Sequence, residues 1–314
     1  MGKDCRDDRG SLQKFDRTMI IGASLGGFKG LTLEQAIDLY SKLSGDFDLK
    51  AVEIRFEKEG NRPTLWHWEA DRKLRNFLKN FEVKGAHLSF IYLNPISQNP
   101  YVKEMSIIQL KEAIKVASDL EMSYCVMHAR GFNYALTQEE KFEEWKRIVI
   151  ELSEFAEKNS ILLTIENADF LHDLSLLVRL VREVNSKWLK ITLDIGHAHI
   201  RKVAPLSTYP LKDLALRISD FFLPLSIIKK NMPYEKYGSL RNFIKLNKEL
   251  IAVVHVHDYN GRKDHLPIGE GKINFSFLSE LRDFKGPYIF EVEFQSHYED
   301  FRKTYYKFKE LMSR

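Results

Sequence analysis

Short apolar, β-branched runs alternate along this chain with longer stretches of helical period. MIIGAS, AVEIRF, VKGAHLS, YCVMHA, ILLTIE, LKITLD, IAVVHV and YIFEVE are each long enough for one strand, and their composition suits a parallel sheet buried on both faces. Between them, segments such as SIIQLKEAIKVASDL and EKFEEWKRIVIELSEFAEKN place apolar residues three and four apart with Lys and Glu interleaved, which predicts amphipathic helices. Eight such units in succession predict an α/β fold of the closed (β/α)8 TIM barrel type. An open doubly wound sheet is the alternative, but GASLGGFKG after the first strand is no clean dinucleotide fingerprint, and no Walker loop follows any strand.

The pattern starts at Met19. Residues 1–18 carry no periodicity and read as a flexible polar extension, which leaves 19–314 as one barrel domain. The connection from Asp194 to His255 is far longer than one loop and one helix require. An insertion over 201–250, between strands six and seven, is therefore predicted, as a lid, a substrate wall, a dimer contact or an extra surface helix.

Composition narrows the function classes. A length of 314 residues is normal for a single barrel, and a 44% hydrophobic fraction is enough for its core. The formal charge of +4 falls short of the dense basic tracts of a dedicated nucleic-acid binder. Cys5 and Cys125, without a CxxC pair, argue against a disulfide framework or a thiolate zinc site. No apolar run reaches the roughly 18 residues of a membrane span and the start is charged, so the expectation is a cytoplasmic protein without a membrane partner.

The candidate chemistry sits at the strand ends. GAHLSF carries His87, CVMHARG His128, LLTIENAD Glu166, ITLDIGHAHI Asp194 and His197, VVHVHD His255, KDHLPIGEG Asp264 and His265, and YIFEVEF Glu291. Singly, each is as readily a hydrogen-bonded structural residue as a ligand. A parallel barrel, however, brings the carboxyl ends of all its strands to one mouth, so the repetition predicts a cluster there. Imidazoles and carboxylates with little role for thiolate point to zinc, manganese or a similar divalent ion. Alternation in YIFEVEF puts Tyr288, Phe290 and Val292 on one face and Ile289, Glu291 and Glu293 on the inward one, where adjacent buried carboxylates need a cation or a proton. In AVEIRF, Arg55 is expected to pair with Glu53 inside the barrel, with Glu53 retained as a support behind the ligands.

LDIGHAHI, VVHVHD and DHLPIGEGKINF, together with HLSF, MHARG and TIENAD, resemble the xylose isomerase-like barrel superfamily. That group contains sugar-phosphate isomerases and epimerases and endonuclease IV, of AP endonuclease family 2, and the resemblance runs from about Met19 to Glu293. It implies a central divalent metal held by Glu166, Asp194, His255 and Glu291. It further implies that the additional ligands of the endonuclease fall on His87, His128, His197 and His265, for one to three ions in all. Asp264 departs from the endonuclease pattern, Asp-x-His, because it adjoins His265 directly.

Such a site serves two reactions. In one, Glu166 and Glu291 move a proton at a carbon beside a carbonyl. In the other, activated water cleaves a phosphodiester. HVHDYNGRKDHLPIGEGKINF resembles the isomerase branch and lacks the Asn-Asp-Ser-Lys signature of the endonuclease, whereas His87 and His128 exceed what a mononuclear isomerase requires. The favoured expectation is a metal-dependent sugar or sugar-phosphate isomerase or epimerase with a small-molecule substrate. The alternatives are an endonuclease acting on DNA at abasic sites and a metal-binding barrel of unassigned reaction, and a homo-oligomer is compatible with all three. Arg130, Arg262, Lys263 and Phe90 are the expected substrate contacts. His199 and His257 are expected behind the ligands or exposed, His67, His172 and His297 on helix surfaces, and Trp66 and Trp68 in packing.

Overall fold

In a computed structural model, which describes residues 19–57, 72–200, 202–203 and 230–313, eight parallel strands close into a barrel. They are β1 (Ile20–Ser24), β2 (Ala51–Arg55), β3 (Val83–His87), β4 (Tyr124–Met127), β5 (Leu162–Glu166), β6 (Leu189–Asp194), β7 (Ile251–Val256) and β8 (Pro287–Phe290). Neighbours in sequence are neighbours in the sheet, and β8 pairs with β1 from Ile20↔Pro287 to Ala23↔Phe290. The closed barrel, not the open sheet, is thus the observed architecture. YIFEVE forms a shorter strand than its pattern suggests, so Glu291 is the first residue beyond β8.

The helices are α1 (Leu33–Phe47), α2 (Arg72–Leu78), α3 (Pro100–Asp119), α4 (Gln138–Lys158), α5 (Leu174–Val184), α6 (Leu240–Asn247) and α7 (His297–Ser313). Their starts follow local rules. Thr32 with Gln35 and Thr137 with Glu140 form capping boxes, and α3 begins ahead of its apolar periodicity because Asn99 caps it and Pro100 occupies the first turn. The seventh unit departs from the expected plan, since β7 is followed by a 3-10 segment, Phe275–Leu281, where an α-helix was predicted. Of the insertion, the structure describes a two-residue antiparallel pair, Lys202–Val203 with Lys230–Asn231, and α6. The N-terminal extension, residues 201 and 204–229 of the insertion, His67, Trp66, Trp68 and Cys5 lie outside the described residues. Among the described residues no helix is long and apolar enough to cross a membrane.

Two apolar layers hold the barrel. The outer one lies between strands and helices and includes Tyr288, Phe290 and Val292, as the alternation requires, while Ile289 faces inward. The inner layer, Ala51, Tyr124, Val126, Val253 and Ile289, forms a floor beneath the mouth. Gly85 makes room for the largest member of that floor: a Cβ there would lie 2.2 Å from the Tyr124 ring. Tyr124 in turn donates its hydroxyl to Glu53 at 3.0 Å, so the packing of the floor reaches the polar groups above it. Gly85→Ala should cost about 1–3 kcal/mol, as overpacking of a filled core does, read as a lower midpoint of urea unfolding. An unchanged midpoint would contradict this view of the barrel interior.

Candidate metal centre

The carboxyl ends of the strands deliver a dense set of titratable side chains. Glu166 ends β5, Asp194 ends β6, His255 is the penultimate residue of β7 and Glu291 follows β8. One ligand atom from each lies within 4.8 Å of the others. His255 Nδ1 stands 2.8 Å from Glu291 Oε2, 3.3 Å from Glu166 Oε2 and 4.0 Å from Asp194 Oδ2. All four side chains are buried.

Each imidazole is aimed by the partner of its other nitrogen. His255 Nε2 lies 3.0 Å from Glu53, so a proton on Nε2 turns the Nδ1 lone pair toward the three carboxylates. His87 places Nδ1 3.2 Å from the Leu88 carbonyl and Nε2 3.7 Å from Glu166 Oε2. His128 places Nδ1 3.1 Å from Asp169 and Nε2 3.2 Å from the same oxygen. Glu166 therefore belongs to two groups of ligand atoms, one with His87 and His128 and one with Asp194, His255 and Glu291.

A third group joins His197, His257 and His265. His197 Nδ1 is 2.8 Å from Glu166 Oε1, and its backbone N–H donates to Asp194 Oδ1 at 2.5 Å. His265 is held through Nδ1 by Asp264 at 3.3 Å, with Nε2 3.8 Å from Glu291, so Asp264 orients this imidazole and is absent from the ligand groups. Of the two places expected for His257, behind the ligands or exposed, it takes the first and is buried, because Gly196 opens a space for it; a Cβ at 196 would lie 1.8 Å from the ring. The backbone N–H of His265 donates to His257 Nδ1 at 2.9 Å, which leaves the ring proton on Nε2, facing Asp194 at 3.0 and 3.1 Å. His257 thereby steadies Asp194 and has no lone pair to offer a metal.

Charge explains the arrangement. Burial opposes ionisation throughout, yet His255 is raised well above its ordinary value by Glu53 and Glu291, and His128 is pushed up to about 10 by Glu166 and Asp169. Burial likewise disfavours the charged forms of Glu166 and Glu291, but His128 holds the first, and His255 and Arg55 the second, well below the usual carboxylate range. Among the described residues, several buried polar atoms still have no hydrogen-bond partner: both Glu166 oxygens, His128 Nε2, His197 Nδ1, His255 Nδ1 and Glu291 Oε2. These are the atoms that face one another across the centre. A divalent cation is the group they fit, since it satisfies lone pairs that cannot satisfy each other.

Supporting residues position the ligands. The Asn167 side chain accepts the Asp194 N–H at 2.7 Å and donates to its carbonyl at 2.9 Å, clamping the end of β6 to β5. Asp258 accepts the N–H groups of Tyr259, Gly269, Gly271 and Ile273, which folds the LPIGEG turn and sets His265 in place. Glu57 accepts the N–H groups of Phe90 and Ile91 and fixes the loop after β3.

Several expectations need correction. Arg55 pairs with Glu291 across the mouth and not with Glu53, whose partners are Tyr124 and His255. Glu293 is no buried neighbour of Glu291: it sits at the rim, with Lys29 at 3.1 Å and Lys263 at 3.5 Å. His172 is buried, with Nε2 2.8 Å from the Ile200 carbonyl, instead of lying on a helix surface. His199 keeps a place behind the ligands, its Nδ1 2.8 Å from the Ile195 carbonyl, and His297 begins α7. Among the expected substrate contacts, Arg130 and Phe90 line a cavity of about 400 Å³ above the centre, whereas Arg262 lies in a separate surface depression.

The pattern of the xylose isomerase-like TIM barrel matches residues 43–307. This chain belongs to that family. The uncharacterized protein MJ1614 of Methanocaldococcus jannaschii is 25% identical over 214 residues, 67% of this chain and 70% of the relative. Among solved structures, a D-tagatose 3-epimerase-like protein superposes with a TM-score of 0.66 at 24% identity, covering 94% of this chain and 97% of its own. The D-allulose 3-epimerase of Methylomonas sp., solved with D-allulose, gives 0.65 at 14% identity, with 96% and 98% covered. At such identities the likeness is one of fold.

Zinc or manganese added to chelator-treated protein should raise its melting temperature, since a ligand at a hundred times its Kd stabilises by about 2.7 kcal/mol. Glu53→Gln should weaken metal binding about 10- to 100-fold, because it removes the carboxylate that aims His255. Thermal unfolding checks the first and calorimetric titration the second. An unshifted melting temperature, or wild-type affinity in the variant, would count against this centre.

Proposed function

We propose that this family member is a divalent-metal-dependent isomerase or epimerase of a small sugar or sugar phosphate. The observation that carries the reading is the scale of the cavity over the centre. A space of about 400 Å³ suits a sugar-sized ligand. The cations at its rim support the same view, because Lys29 and Lys263 are engaged by Glu293 and Arg55 by Glu291, which among the described residues leaves few rim charges to grip a duplex. Sugar epimerases among the structural relatives are consistent with it.

A bound divalent ion supplies Lewis acidity, polarising a substrate carbonyl and acidifying the neighbouring C–H or hydroxyl. The chain provides the rest. Glu291 lines the cavity and, paired with Arg55, presents a carboxylate to accept the proton from the carbon beside the carbonyl. Return of that proton to the adjacent carbon, with the hydroxyl proton passing to the former carbonyl oxygen, completes an isomerisation. Delivery of a proton to the opposite face, passed from the His128 imidazolium through Glu166 at 3.2 Å, completes an epimerisation, with the proton taken by Glu291 restoring the charge balance. Phe90, stacked on His128 at 4.3 Å, gives the sugar an apolar wall.

One observation favours a second reading. Glu166 is shared between two ligand groups, the place of a carboxylate bridging two ions, and paired ions suit phosphodiester hydrolysis. The readings separate by experiment. With D-allulose or D-tagatose in heavy water, the metal-loaded protein should incorporate deuterium at the carbon beside the carbonyl, at a rate lowered about 100-fold or more in Glu166→Gln and Glu291→Gln. His87→Ala should retain most of the exchange. Absence of exchange, together with chelator-sensitive nicking of an abasic duplex that His87→Ala abolishes, would replace the isomerase with the hydrolase.

A further inference from the structure

The cations around the cavity are unequal. Arg55 is bound to Glu291, and Lys29 shares Glu293 with Lys263. Arg130, half-buried in the cavity wall, has no carboxylate within ion-pair distance among the described residues. Its guanidinium lies over the Phe90 ring, 5.4 Å from the centroid, and that ring stacks at 4.3 Å and 13° on His128, one of the nitrogens facing Glu166. Glu57 anchors the backbone of Phe90 and Ile91, so this stack rests on a fixed loop.

A guanidinium over an aromatic ring face engages the ring through its π-cloud and leaves N–H groups for an oxyanion, to which it can donate two parallel hydrogen bonds. Arg130 and Glu291 line the same cavity, so one small ligand can meet both the guanidinium and the metal centre. We infer that Arg130 binds a terminal anionic group of the substrate, phosphate or carboxylate, while the carbonyl end lies at the metal centre. The inference rests on the small-sugar reading and narrows it to acidic sugars. Arg130 is then a specificity residue: it contributes little to a neutral ketose and much to its charged counterpart.

The test is calorimetric binding to the full-length, zinc-loaded protein of D-fructose, D-fructose 6-phosphate and D-glucuronate, compared with Arg130→Gln and Arg130→Lys. At least one acidic sugar should bind about tenfold or more tightly than D-fructose, as charge-assisted bonds allow, and Arg130→Gln should remove that preference while Arg130→Lys keeps part of it. Which acidic sugar is preferred distinguishes phosphate from carboxylate. A preference that survives in Arg130→Gln places the anion on the metal instead and overturns the inference, as does equal binding of neutral and acidic sugars by the wild type. The two readings fail separately. An Arg130-dependent preference without proton exchange removes the isomerase and leaves the anion site standing, whereas proton exchange without an Arg130-dependent preference for an acidic sugar does the reverse.

Discussion

Everything at the mouth of this barrel answers to one constraint, the burial of negative charge. Glu53, Glu166, Asp194 and Glu291 are all withdrawn from water within a small volume, and three of them converge on a single imidazole nitrogen. Carboxylates in that condition are costly unless a cation or protons balance them. In the metal-free protein the balance comes from imidazolium groups, which is why His255 and His128 hold their protons so firmly. A divalent ion provides the same compensation from one point and releases the lone pairs that face it.

The barrel makes such a concentration feasible. Parallel strands end together, so residues far apart in sequence meet without any one loop carrying the site. Precision then comes from behind. Glu53, Asp169, the Leu88 carbonyl and Asp264 each take the outer nitrogen of an imidazole, and Asn167 and His257 hold Asp194 from two sides. Gly196 and Gly271 belong to the same scheme, because a Cβ at either would collide with His257 or with Asp258.

The barrel was legible in the sequence because period is a local property: eight β-branched runs separated by helical stretches leave few other topologies. The clustering of carboxylates and imidazoles at the mouth was legible for a related reason, since they sit at or next to the carboxyl ends of these runs, which a parallel barrel brings together. What escaped was set across the barrel. Arg55 was expected to pair with Glu53 from the same strand, but residues two apart on one strand point along the same wall, and the guanidinium reaches Glu291 near the other end of the sequence. His257 looked peripheral because nothing local shows that Gly196 leaves room for its ring. The seventh helix failed for want of a tertiary signal, the segment Phe275–Leu281 packing as a 3-10 turn. The third group of histidines shows the same limit, since the tautomer of His257 depends on a backbone N–H eight residues away.

The central claim is that the convergence of Glu166, Asp194, His255 and Glu291 exists to hold a metal ion. Anomalous diffraction at the zinc absorption edge, from crystals of the zinc-loaded protein, tests it most directly. The account predicts a peak among these four side chains, about 2.0–2.3 Å from the His255 Nδ1 and the carboxylate oxygens. Zinc sites elsewhere on the protein, with the four side chains unliganded around His255, would contradict it.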